Sequence, residues 1–457
     1  MTAVEELLAT LGPDLVRTGA DIPERHEADS AGLAPQQPLA LVLPRTTEDV
    51  AATLRICHAH GQPVVTQGGL TGLAGGAHPG AGEVALSLQR MAGIEELDTE
   101  SNTLTALAGT PLQVIQQAAE QAGLMCGIDL GARGSCSIGG NVATNAGGNQ
   151  VIRYGMTRRN VLGLEAVLAD GQVVRSLNKM QKNNTGYDWT QLFIGSEGTL
   201  GVVTRVVLAL HARPQGVQTA LLAADSTPDA IAILRAAERA LPAGLLVFEA
   251  MWREMYEIAT TTIGVPAPIP RGHEVYLLVE APTGEAGPEP FEAFLAGLYE
   301  AGLVKDAVVA KSRAERDRFW ALRESVYEYK RLIPNEINFD VSFPLNRMDE
   351  AIALFRKAIP AAFPDAVYCI FGHLADSNIH VNVMPKVKSP EVKKAVEGVV
   401  YDCTRALGGS VSAEHGIGRH KRPYLPLSRS AAELALMASI KKALDPRDIL
   451  NPGRVLP

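Results

Sequence analysis

The rhythm of apolar and polar positions changes near residues 211–216, "HARPQG". Before it, strands and helices take turns. "LALVL" predicts a strand that Pro44 ends, and Thr46 or Thr47 can cap a helix carrying Glu48 and Asp49 in its first turn. Val50, Leu54 and Cys57 share one face of that helix, Gly61 closes it, and "PVVT" follows as a short strand. A second helix runs from Thr110-Pro111 to Gly123, with Leu112, Ile115 and Ala119 on one side. "LGLEAVLADGQVV" predicts a hairpin turning at Asp170-Gly171, and residues 200–210 a further strand. After the boundary, the strand-like runs "LLVFEA", "EVYLLVE", "INFDVSF" and "IHVNVM" alternate with helical runs over 226–240, 288–302, 313–330, 346–358 and 390–407. That pattern predicts an α+β arrangement, an antiparallel sheet backed by helices. A last helix is expected over 430–443, and residues 1–36 form an N-terminal helical segment.

One stretch joins the pattern to chemistry. In "GHLADSNIH", 372–380, His373 and His380 flank Asp376, Ser377 and Asn378. On one straight strand, residues seven apart point to opposite faces. Asp-Ser-Asn is turn chemistry, however, and both flanks alternate as strands do. The stretch therefore predicts a hairpin that folds His373 back beside His380, with Ile379, Val381 and Val383 facing a core and Asn382 sharing the face of His380. Further on, "SAEHGIGRHK" places Glu414 next to His415. Two imidazoles and a carboxylate suit a divalent metal such as zinc, although an isolated histidine is more often only hydrogen-bonded.

Composition narrows the classes. With 46% hydrophobic and 20% charged residues, the 457-residue chain is globular and long enough for two or three domains. A net charge of -8 and the lack of a basic run argue against nucleic-acid binding. The five cysteines form no C-x-x-C pair, which predicts free thiols in a reducing, cytoplasmic setting. The N-terminus has no basic n-region leading into an apolar run, and no stretch approaches a membrane span.

Glycine is clustered in three stretches: "TQGGLTGLAGGAHPG" (66–80), "GARGSCSIGGNVATNAGGNQ" (131–150) and "GSEGTLG" (195–201). Glycine lets backbone N–H groups turn together toward an anion. Any one cluster is as readily a plain loop; three together point to a phosphate-bearing cofactor. A strand follows the third cluster where a dinucleotide fingerprint needs a helix, and no P-loop occurs.

The runs "GARGSCSIGGNVATNAGGNQVIRYG", "VLGLEAVLADG" and "NNTGYDWTQLFIGSEGTLGVVT" occur in this order. They resemble the FAD-binding domain of the p-cresol methylhydroxylase and vanillyl-alcohol oxidase superfamily. Within it, the likeness is to FAD-linked D-2-hydroxyacid dehydrogenases of the D-2-hydroxyglutarate, D-lactate and glycolate types, from about residue 37 to the C-terminus. The resemblance implies a two-subdomain FAD-binding domain over 37–213, a substrate or cap domain over 214–410, and a segment 411–457 returning to the flavin site.

It also implies roles. The backbone of Gln67, Gly68, Gly69, Leu70, Thr71 and Gly72 would cradle the FAD pyrophosphate. Ser135, Gly139, Gly140, Asn141, Thr144 and Gly148 would line the rest of the flavin site. Glu197, Gly198 and Val202 would meet the adenine half, and Asn451 the isoalloxazine. FAD is expected to be non-covalent. His373, His380 and Glu414 would carry a divalent metal, with zinc expected, and His415 would be the base. Arg323 in "RFWALRESVYEYK" would bind the substrate carboxylate, assisted by Asn338 and Asn382; Tyr327, on the same predicted helical face, would neighbour it. Asn338 and Tyr327 depart from close relatives, which often have Lys and Thr there; Leu70 stands where they often have Asn.

The expected reaction is oxidation of a D-2-hydroxyacid (D-2-hydroxyglutarate, D-malate or D-lactate) to the 2-oxoacid, hydride passing from C2 to flavin N5. A D-lactate or glycolate dehydrogenase, a metal-dependent hydrolase, and a non-catalytic FAD-binding electron-transfer subunit are the competing readings. The electron acceptor stays open among electron-transfer flavoprotein, a quinone and a cytochrome. A homodimer is expected by analogy alone.

Overall fold

The computed structural model describes residues 1–284 and 287–457. Two compact units emerge: Met1–Gly148, Tyr154–Arg213 and Glu414–Pro457 form the first, and Asn149–Arg153 with Pro214–Ala413 the second.

The first unit holds two sheets. One is built from β1 (Val16–Arg17), β2 (Ala40–Val42), β3 (Val64–Gln67) and β4 (Val84–Ser87), in the order β1-β2-β4-β3. β2 and β3 both run parallel to β4, and β1 is antiparallel to β2. The parallel pairing follows from the helix Thr47–His60, which connects β2 to β3. Its start is set by a capping box of Thr46 with Asp49 and its end by Gly61 in the left-handed region. The N-terminal segment is thus only partly helical. Ala3–Leu11 forms a helix, but Val16 and Arg17 join the sheet beside Val42 and Leu41.

The second sheet is antiparallel, with β5 (Ile94–Asp98), β6 (Thr103–Leu107), β7 (Leu124–Cys126), β8 (Val161–Val167), β9 (Val173–Ser176) and β10 (Val202–Ala212). Its order is β5-β6-β10-β8-β9, and β7 pairs with the far end of β10. Asp170-Gly171 makes the predicted β8–β9 turn, Gly171 lying at φ 82°. One hydrophobic core runs through both sheets, from Val42 and Leu86 to Leu164 and Val206.

The second unit is a seven-stranded antiparallel sheet with helices on both faces. Its strands are β11 (Val217–Ala224), β12 (Val247–Trp252), β13 (Val275–Pro282), β14 (Asp306–Val309), β15 (Ile337–Ser342), β16 (Val367–His373) and β17 (Asn378–Met384). The order is β14-β11-β13-β12-β16-β17-β15. On one face, Phe319 and Leu322 of the helix Arg313–Glu324 pack with Leu221, Leu278 and Phe371. On the other, Phe339 meets Tyr401 of the helix Pro390–Ala406 edge to face at 5.4 Å.

The helix expected over 313–330 stops at Glu324. The chain goes on as a 3-10 turn, Ser325–Glu328, and a short helix, Tyr329–Leu332. The tighter 3-10 winding takes Tyr327 off the Trp320–Arg323 face and leaves it 69% exposed. The five cysteines are all buried and unpaired. Among the described residues, no helix is long and apolar enough to cross a membrane.

Candidate active site

The glycine clusters of the first unit line an open cleft. Gly68, Gly69, Leu70, Thr71 and Gly72 form one wall; Gly139, Gly140, Asn141 and Thr144 another; Glu197, Gly198, Val202 and Asn451 close it. The glycines have two distinct reasons to be there. A Cβ on Gly69 would lie 2.0 Å from the Ser135 carbonyl oxygen, and one on Gly139 would lie 2.6 Å from the Ala108 Cβ. These residues are small because two loops interlock. Gly72, by contrast, has open space where its Cβ would be. Among the described residues, no protein acceptor takes the backbone N–H of Gly69, Leu70, Thr71 or Gly72. Four consecutive uncommitted donors on a cleft wall fit the pyrophosphate of a dinucleotide cofactor. Leu70 adopts φ 60°, the region that favours glycine or asparagine, so its side chain sits on a strained backbone.

The cleft is held shut at one end by Asn451 and Glu197, both with positive φ. The Asn451 side-chain carbonyl accepts the Thr66 N–H at 2.8 Å, and its amide donates to the Glu197 carbonyl at 2.7 Å. The Glu197 carboxylate accepts the N–H groups of Ile417 and Gly418 at 2.6 and 2.7 Å. Burial pushes this carboxyl above its ordinary pKa, and the two backbone donors act against that. The contact ties the 415–418 turn to the cleft, and His415 lines the cleft wall.

The second unit carries a polar stripe across one face of its sheet. Residues directly opposite on neighbouring strands share a face, as do residues two apart on one strand. Glu249 of β12 lies opposite His373 of β16, and His380 of β17 lies opposite Asp340 of β15 and Phe371 of β16. The hairpin turn runs through Leu374–Asp376 and Ser377, the latter at φ 71°. It brings the rings of His373 and His380 to 5.5 Å between centroids, edge to face. Ile379, Val381 and Val383 are fully buried on the opposite side.

Arg323 reaches this stripe from the helix above. Its Nε donates to Glu249 Oε2 at 2.7 Å, and its guanidinium stacks over Phe371, 4.6 Å from the ring centre. The other Glu249 oxygen binds His373 Nδ1. Burial alone would raise the Glu249 carboxyl. The charges of His373 and Arg323 outweigh it and hold the group down at about 2. Among the described residues, Arg323 makes no other hydrogen bond, so its terminal Nη pair remains as a fork for a ligand carboxylate. One and two turns earlier on the same helix, the Trp320 indole and Arg316 are engaged with the buried Glu280.

Glu414 follows the last residue of the second unit. The preceding segment is pinned to β15: Ser410 bridges Ser342, the Ser412 hydroxyl donates to Asp340 at 3.2 Å, and the Ala413 N–H donates to the Asp340 carbonyl at 3.3 Å. His373, His380 and Glu414 each offer one ligand atom, all within 4.8 Å of one another. Two imidazoles and a carboxylate fit a divalent metal. Gly147 makes room for this carboxylate, since a Cβ there would lie 2.5 Å from Glu414 Oε1.

Several expected residues lie elsewhere. Gln67 is buried and does not line the cleft, and its side-chain amide is spent on His26 and the Ala77 carbonyl. Ser135 and Gly148 do not line the cleft; Gly148 is small because its backbone passes the Asp129 carbonyl. Asn338 is exposed, and across from it Asn382 donates to Glu336 at 2.8 Å. Sequence reasoning missed Glu249, Gly147 and Asp340 as parts of the site. For Asp340 a signal existed, its alternation with Asn338 along one strand. For Glu249 none did, because its partners lie 74 and 124 residues away in the chain.

Comparison with known proteins agrees with this geometry. The family described as FAD binding domain matches residues 38–176, and that described as FAD linked oxidases, C-terminal domain, matches residues 213–455. The D-2-hydroxyglutarate dehydrogenase of Xanthomonas citri pv. viticola is 40% identical over 92% of this chain and 89% of its own length. The mitochondrial D-2-hydroxyglutarate dehydrogenase of Bos taurus is 39% identical over 91% of this chain and 76% of its own. The fold is shared with p-cresol methylhydroxylase, whose substrate-bound crystal structure superposes with a TM-score of 0.78 at 18% identity, over 99% of this chain and 96% of that one. A cleft walled by uncommitted backbone donors, joined in one chain to an antiparallel sheet domain of this kinship, identifies a flavoprotein oxidoreductase: the chain belongs to the FAD-linked D-2-hydroxyacid dehydrogenases and has the fold of p-cresol methylhydroxylase.

Proposed function

We propose that this enzyme oxidises D-2-hydroxyglutarate, or a closely related small D-2-hydroxyacid, to the 2-oxoacid, with a divalent metal as well as FAD. The grouping of His373, His380 and Glu414 within 4.8 Å carries the metal part of the reading. The five-carbon substrate rests on 39–40% identity to two proteins so named.

FAD supplies the two-electron acceptor when bound. A divalent metal held by His373, His380 and Glu414 would supply Lewis acidity toward a substrate hydroxyl. The remaining work falls to side chains. The open Nη fork of Arg323 takes the C1 carboxylate, held in orientation by Glu249 and Phe371. His415, on the cleft wall, takes the hydroxyl proton; imidazole suits proton transfer near neutral pH. His415→Ala should slow anaerobic flavin reduction about 10²–10⁴-fold, the usual worth of a general base, while FAD content is unchanged. Undiminished reduction would remove His415 from this role.

A monocarboxylate substrate such as D-lactate or glycolate is favoured by one observation. Asn382 is bound by an acid, Glu336, and the position facing it is the neutral Asn338, so neither of these side chains offers a cation to a second carboxylate, and Lys388 at this corner is engaged with the Glu336 carbonyl. Anaerobic flavin bleaching with D- and L-lactate, glycolate, D-malate and D-2-hydroxyglutarate separates the two. Faster bleaching by D-lactate or glycolate than by D-2-hydroxyglutarate selects the second reading.

A further inference from the structure

Glu249 touches both ends of the proposed chemistry without belonging to either. It is 1% exposed in the middle of the sheet, and each of its oxygens is committed. Oε2 accepts from Arg323 Nε, and Oε1 meets His373 Nδ1. Paired to a guanidinium, this carboxylate is an acceptor only. Its partner on His373 must therefore be Nδ1–H, so in the neutral imidazole that a metal binds, Nε2 is the nitrogen with the lone pair.

We propose that Glu249 is a positioning residue that orients two groups through one carboxylate: it sets the tautomer of His373 so that Nε2 faces the metal, and it aims the Arg323 fork at the substrate carboxylate. This rests on the reading of His373, His380 and Glu414 as metal ligands. Partners behind a metal-bound histidine fix ring orientation and tautomer, and their loss commonly weakens metal binding about 10–100-fold.

Glutamine at this position makes the mechanism testable, because its two ends differ. Arg323 Nε is a donor, so in Glu249→Gln the amide oxygen must face Arg323. The amide NH₂ then faces His373 and forces Nδ1 to become the acceptor. The ring proton moves to Nε2, and the lone pair is lost from the metal side. If Arg323 is also replaced by methionine, the amide is free to turn, its oxygen can accept from Nδ1–H, and the native tautomer returns.

The experiment measures Zn²⁺ affinity by chelator competition on FAD-loaded protein, for wild type, His380→Ala, Glu249→Gln, Arg323→Met and the Glu249→Gln/Arg323→Met double variant. Flavin content and thermal unfolding report on the fold. Glu249→Gln is expected to bind Zn²⁺ about 10–100-fold more weakly than wild type, Arg323→Met to stay within a few-fold of it, and the double variant to recover. A merely structural role for Glu249 would make the double variant no better than the single one. That result overturns the inference, as does wild-type affinity in Glu249→Gln. If Glu249→Gln does not fold, the double variant carries the test alone, and affinity ten-fold or more below wild type overturns the proposal. Wild type that binds no Zn²⁺, or binds it equally well in His380→Ala, overturns the metal reading itself.

Discussion

The first unit's cleft and the second unit's polar stripe are both candidate binding surfaces, built by opposite means. The cleft is walled by backbone: Gly69, Leu70, Thr71 and Gly72 present N–H groups, and the glycines allow loops to approach or leave space open. The stripe is built from side chains on four strands, β12, β16, β17 and β15, with Arg323 added from a helix. Backbone recognition tolerates change in side chains but not in Cβ placement. The stripe tolerates neither, since each carboxylate there has committed partners. A surface of the first kind is announced by residue type. One of the second kind depends on register.

The largest expected effect lies in the stripe. Arg323→Ala leaves the Glu249 carboxylate buried without its cation, and breaking such a pair costs about 3–5 kcal/mol. Denaturant unfolding should register that loss, together with a raised KM for the hydroxyacid. An exposed ion pair would lose under about 1 kcal/mol, and that outcome would count against the burial argument.

Gly69→Ala tests whether the cleft is equally unforgiving. Its Cβ would meet the Ser135 oxygen and, at 2.7 Å, the Cys136 Cα, both backbone atoms that cannot swing aside. Overpacking of this kind costs about 1–3 kcal/mol. Unfolding should shift and FAD content fall together. Leu70→Asn goes the other way. At φ 60° it relieves a backbone strain worth about 1–2 kcal/mol per residue, so a stabilisation of about 1 kcal/mol is expected by thermal unfolding. Gly72→Ala has the smallest expected effect on stability, within about 0.5 kcal/mol, because nothing stands where its Cβ would go. It should still weaken FAD retention, since that open space is what the ligand would occupy. Wild-type FAD retention in Gly72→Ala would break the contrast between packing glycines and ligand-facing glycines.

Much of the fold was legible because its signals are local. Thr46, Asp49 and Gly61 delimit one helix by capping chemistry, and Asp170-Gly171 makes one hairpin. The apposition of His373 and His380 follows from turn residues and a period of two, both contained within eight residues. Tyr327 was misjudged because the winding change at Ser325–Glu328 carries no mark in helical spacing. The strand at Val16–Arg17 was hidden because two residues cannot display a period, and pairing with Val42 and Leu41 alone makes them a strand.

What the sequence determined by itself, then, was the set of elements, the glycine-walled loops and the hairpin that brings two histidines together. These follow from short-range sterics and hydrogen bonding between near neighbours. Only the tertiary structure decided that Glu249 stands behind both His373 and Arg323, that Asp340 anchors the segment leading to Glu414, and that Gly68, Gly69 and Gly139 serve loop packing. Those outcomes depend on which strands pair and in what register, which is settled by burying apolar faces across the whole sheet.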